Sequence, residues 1–146
     1  MINNDLIDEL DATSFRIGGI TKLLPDVANA YLQKLANAYV ADPSYLRWWE
    51  SLKVCAAHVA YGDADGLFLL EKLLVERRND AILVVTDDEE PPWFVYSGNT
   101  QKIIMLLRES RFFEYILAAH DMSWIVFDTH MNSLVFTEFD WPHVAR

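Results

Sequence analysis

Apolar residues recur at helical spacing along the first third of the chain and at strand spacing along the last third. Leu6 and Leu10 share a helix face at i, i+4, and Pro25 can open a second helix with apolar positions at Val27, Tyr31, Leu35 and Ala38. Gly18-Gly19 breaks the chain between the two. Asp42-Pro43 has the form of an N-cap followed by a first helical residue. It predicts a third helix through Tyr45, Leu46, Trp49 and Leu52.

Beyond Lys53 the pattern changes. VCAAHVAY, from Val54 to Tyr61, is rich in small and β-branched residues and predicts a strand that Gly62-Asp63 ends. Leu67, Leu70, Leu73 and Leu74 return to helical spacing as far as Glu76-Arg77-Arg78. Ala81 to Thr86 and Trp93 to Tyr96 predict short strands on either side of an acidic stretch. Gly98-Asn99-Thr100 predicts a turn and cap before a helix with the stripe Ile103, Ile104, Leu106 and Leu107, ending near Ser110. The runs FFEYILA, SWIVFDT and SLVFTEF, divided by HDM and HMN, predict a meander that Asp140-Trp141-Pro142 closes.

Helices, then a strand, a helix, a hairpin, a helix and a meander argue for an α+β fold. N-terminal helices would pack on a mainly antiparallel sheet of about five or six strands, because the meander connectors are too short for parallel crossovers. No repeat or linker divides the 146 residues, so a single α+β domain over residues 1–146 is expected.

Composition narrows the function. The chain is 52% hydrophobic and 13% aromatic, enough for an aromatic-rich core. Lys plus Arg number 12 against 22 Asp plus Glu, and the net charge of −10 favours a basic protein partner over nucleic acid or an anionic membrane. MINNDLIDEL lacks a basic n-region and an apolar h-region, and no apolar run approaches the ~18 residues of a membrane span. The lone Cys55 excludes an internal disulfide. A cytoplasmic protein with no membrane span is expected.

One candidate for chemistry is Asp128-Thr129-His130. On a strand, period 2 puts Asp128 and His130 on one face, where a carboxylate could orient a general base or a metal ligand. His120 lies one connector away and His143 could approach. The competing reading is a tight turn, with Asn132 supplying backbone freedom. No HExxH or His-Cys spacing accompanies the pair, so no metal or cofactor is assigned, and Asp128, His130 and His120 stand as the alternative, a metal-dependent or hydrolytic enzyme. Cys55 and His58 align on a helix but oppose each other on a strand, and a buried structural cysteine is the simpler reading. The chain has no GxSxG, P-loop, GxGxxG or CxxC, which favours a binding protein.

The second candidate is TDDEEPPWF, Thr86 to Phe94. As local structure it is an acidic connector whose prolines protect a sheet edge. Four contiguous acids followed by a tryptophan also suit docking of Lys and Arg from a partner. Trp48 and Trp49, about 100° apart on a helix, would send one ring inward and one to the rim. The candidate partner-binding residues are thus Asp87, Asp88, Glu89, Glu90, Trp93 and Trp48, the tryptophans as exposed anchors. A homo-oligomer with its aromatics at the subunit interface is a third reading.

From Asp87 to Phe136 the chain carries a Pro-Trp strand, a Gly turn, a helix ending before FFEY, and a Trp strand closing on a His-Asn turn. In these it resembles small acidic bacterial immunity-type proteins of polymorphic toxin systems. Leu24-Pro25-Asp26-Val27-Ala28-Asn29-Ala30-Tyr31-Leu32 is similar to the Leu-Pro helix of SUKH-type immunity proteins, although Asn37-Ala38-Tyr39 replaces the Asn-Gly-Gly expected after it. The resemblance implies binding and neutralisation of a cognate toxin and transfers no catalytic residue.

Overall fold

The computed structural model describes residues 4–62, 66–77, 79–129 and 131–138. Four α-helices occur among them: α1 (Asn4–Ile17), α2 (Pro25–Tyr39), α3 (Gly66–Leu74) and α4 (Thr100–Glu109). Helix α1 buries Leu6, Ile7 and Leu10. Helix α2 opens at Pro25 as expected, but its buried stripe is Ala28, Leu32, Leu35 and Tyr39. The predicted stripe is rotated by about one residue because Leu32 and Tyr39 bring more apolar area to the core than Val27 and Ala38.

Seven strands form one antiparallel sheet: β1 (Thr21–Lys22), β2 (Ala57–Ala60), β3 (Asp80–Val85), β4 (Phe94–Asn99), β5 (Tyr115–Ala119), β6 (Trp124–Asp128) and β7 (Ser133–Glu138). Their order is β1-β4-β3-β5-β6-β7-β2. The fold is therefore α+β, with one strand more than the five or six expected. The addition is β1, whose two residues pair with Tyr96 and Ser97 and are too short to leave a periodic signature. Gly18 and Gly19, at φ 78° and 76°, turn the chain from α1 into β1. At Gly98 a Cβ would lie 3.1 Å from the Gly19 carbonyl oxygen, so any side chain here would press the two backbones apart by a few tenths of an ångström and glycine is favoured.

The register divides the sheet into two faces. Tyr96, Leu83, Leu117, Val126 and Phe136 are successive cross-strand partners and share one of them. Helices α1, α3 and α4 cover it: the Tyr96 hydroxyl donates to Asp11 of α1 at 2.7 Å, and the Arg77 guanidinium beyond α3 lies 4.9 Å from the Phe136 ring centroid. Ser97, Ile82, Ala118, Ile125 and Thr137 share the opposite face, which α2 and the segment 40–55 cover. There the Thr137 hydroxyl donates to the Cys55 carbonyl at 2.6 Å. The middle strands β3, β5 and β6 are buried on both faces.

The third helix expected from Asp42 does not form. The Asp42 carboxylate accepts from the Ser44 amide at 3.0 Å and the Ser44 hydroxyl at 2.6 Å, closing a local turn in place of a helix cap. The segment folds back on itself through a Val40–Leu52 bridge, leaving only a 3-10 turn at Trp48–Glu50. Cys55, expected to be buried, is exposed, just before the edge strand β2, which is itself largely exposed. No described helix is long and apolar enough to cross a membrane.

Candidate functional site

The acidic connector joins β3 to β4. Asp87 and Asp88 both have positive φ, 44° and 56°, a conformation that Asp tolerates better than most residues, and the Glu89 amide closes the turn on the Thr86 carbonyl at 2.8 Å. The Asp87 amide donates to the Glu114 carbonyl at 2.9 Å. Asp88 Oδ2 accepts a hydrogen bond from Arg47 Nη2 at 3.2 Å, and Nε completes the ion pair 3.1 Å from Oδ1 without hydrogen-bond geometry. The connector is thus tied to both neighbouring segments. Partial burial raises the Asp87 carboxyl above its ordinary range, against the pull of the Glu114 backbone N–H. Glu90 is exposed and has no partner among the described residues.

The two tryptophans are interior, which corrects the expectation of exposed anchors. Trp48 is 7% exposed and Trp93 4%, and their rings meet edge to face with centroids 5.1 Å apart. Trp93 Nε1 donates to the Glu89 carbonyl at 2.8 Å and Trp48 Nε1 to the Pro43 carbonyl at 3.0 Å. Their apolar area is spent on holding the two loops together beneath the acids. Trp49 remains half-buried at the edge of the same segment.

Asp128, at the end of β6, is buried at 5% exposure. Its Oδ1 accepts from the Tyr61 hydroxyl at 2.7 Å, and burial pushes its pKa up to about 6 although the Tyr61 and Tyr115 hydroxyls favour its charge. Tyr115 pairs with Asp128 across the β5–β6 ladder and shares its face. Its hydroxyl is turned toward the carboxylate without reaching hydrogen-bond geometry, and it is buried without a partner among the described residues. These three groups lie in a cavity of about 440 Å³ walled by Leu67, Leu107, Phe112 and Phe113, with Arg108 and Arg111 also on its lining.

Of the alternative constellation, His120 stands apart from Asp128. His120 follows β5 at the end opposite Tyr115 and therefore opposite Asp128, about 16 Å along the strand at the usual rise. Its ring is held in another network, Nε2 to the Ser97 hydroxyl at 2.8 Å and Nδ1 to the Tyr31 hydroxyl at 3.0 Å, which fastens α2 to the sheet. His130 and His143 lie outside the described residues. Among the described residues no three His, Cys, Asp or Glu side chains converge to hold a metal. Tyr61, Tyr115, Arg108 and Arg111 escaped the sequence reading because only strand register and helix packing bring them to Asp128. Alternation over β5 and β6 was the one signal that could have placed Tyr115 there.

No curated protein and no solved structure matches the chain. A family model does match, over residues 5–143, and the chain belongs to that family, a family of unknown function designated DUF6756.

Proposed function

We propose that this protein is a non-catalytic, immunity-type binding protein of the bacterial cytoplasm that neutralises a basic protein partner, a toxin domain, without a cofactor. The observation that carries the reading is the preordered acidic connector. Asp87 and Asp88 are fixed in left-handed backbone, Asp88 is braced by Arg47, and Glu90 is left free at the surface. A loop already ordered loses little conformational freedom on binding, and the net charge of −10 adds long-range attraction for a cationic partner. Arg47 neutralises part of the charge of Asp88, so Glu90 contributes more of the free field than the run of four acids suggests.

The test is coexpression with a basic toxin-like protein encoded beside the gene. Restored growth and co-elution of the two chains as one complex are expected. Continued growth arrest with separate elution, or neighbouring genes that encode no such protein, would contradict the reading.

A further inference from the structure

We infer that the cavity at the open end of the β5–β6 ladder is a binding site for a small organic cation, a primary ammonium or a guanidinium, held by Asp128 and Tyr115. This inference does not rest on the acidic connector, which meets the same end of the sheet through the Asp87 amide and the Glu114 carbonyl. Two observations support it. The first is the cavity, whose volume of about 440 Å³ falls within the range of small-molecule pockets. The second is the Tyr115 hydroxyl, buried and without a hydrogen-bond partner among the described residues, in a residue that is only 3% exposed and lines the cavity. A buried hydroxyl without a partner is costly to maintain, and such groups concentrate where a ligand completes the bonding.

The charge pattern selects the ligand. Arg108 is ion-paired to Glu71 of α3, and Arg111 to Glu9 of α1 at 3.6 Å, so the two lining cations are each offset. Among the described residues Asp128 has no such counter-ion, and Tyr61 gives it only a neutral donor. The uncompensated charge of the site is therefore a carboxylate, which repels anions and attracts cations. Aromatic rings of Tyr61, Phe112, Phe113 and Tyr115 line the same space, the surroundings that organic cations favour. An ammonium or guanidinium donating to Asp128 also has N–H groups to spare, and the Tyr115 oxygen can accept one of them.

The test is titration of the isotopically labelled chain with butylammonium and butylguanidinium, followed by NMR, with butanol as the uncharged control. Shifts centred on Tyr61, Tyr115 and Asp128, with a dissociation constant on the order of 1 mM, the scale for so small a fragment, are expected for both cations and not for butanol. Asp128→Asn should weaken binding about tenfold or more, and Tyr115→Phe severalfold with no loss of melting temperature. Equal binding of butanol, or undiminished cation binding by a folded Asp128→Asn chain, would overturn the inference, as would shifts elsewhere on the surface. A doubly blocked lysine distinguishes the source. If it binds as well as butylammonium, the site accepts a side chain from a polypeptide; if it is excluded while butylammonium binds, the ligand is a free amine.

Discussion

The Arg47 guanidinium donates from Nη2 to Asp88 Oδ2 at 3.2 Å, with Nε 3.1 Å from Oδ1, and this ion pair joins the β3–β4 connector to the segment that follows α2. The two residues are 41 positions apart, and their contact gives the acidic run a fixed shape. Both side chains are over one-third exposed, so the pair adds little stability. Replacing Arg47 by Ala should cost about 0.2–1 kcal/mol in urea unfolding. Amide exchange at Glu89 and Trp93 should nevertheless accelerate well beyond the change in global stability. Unchanged exchange at those two amides would show that the loop is ordered without Arg47.

The tryptophans beneath the connector are expected to behave as core. Trp48→Ala and Trp93→Ala should each cost about 3–5 kcal/mol, the usual penalty for deleting a buried aromatic. In a double-mutant cycle their coupling should be about 0.5–1.5 kcal/mol, the scale for an edge-to-face ring pair. A loss below about 1 kcal/mol for either substitution would return that ring to the surface, where an anchor would need it.

Asp128 makes stability depend on pH with a sign opposite to that of most paired carboxylates. Its folded pKa of about 6 lies above the ordinary 3.8, so between these values the folded chain binds more protons than the unfolded one. The contribution is complete below the unfolded pKa and is lost as pH rises through about 6. Asp128→Asn should remove this pH dependence and be the more stable protein at pH 7, by up to roughly 3 kcal/mol. A variant that is less stable than the parent at pH 7 and equal to it at pH 4 would contradict this sign.

Much of the architecture was legible in the sequence because it rests on local periodicity. The four helices, the strands β3 to β7 and the Asn99 cap of α4, which accepts from the Lys102 amide at 2.8 Å, all follow from spacing and capping. The failures have physical causes. Asp42-Pro43 looks the same whether the aspartate caps a helix or closes a short turn on Ser44, and the two-residue β1 has no period to detect. Asp87 to Glu90 were recognisable as a connector, but half of that acidity also serves the backbone, since Asp87 and Asp88 occupy left-handed positions. Burial of Trp48 and Trp93 depends on contacts across 45 residues of sequence, and Asp128 meets Tyr61 across 67, distances that no local pattern encodes.

The most direct test of partner binding is the association rate as a function of salt, with Asp87, Asp88, Glu89 and Glu90 replaced together by Asn, Asn, Gln and Gln. Asn tolerates the left-handed backbone that Asp87 and Asp88 require, so the turn is accommodated while its charge, including the Asp88 side of the Arg47 ion pair, is removed. If the connector steers a basic partner, the rate at low salt should fall about tenfold or more and its salt dependence should flatten, because electrostatic steering acts mainly on the encounter. An unchanged rate with an unchanged salt dependence would show that the acidic connector is only a turn.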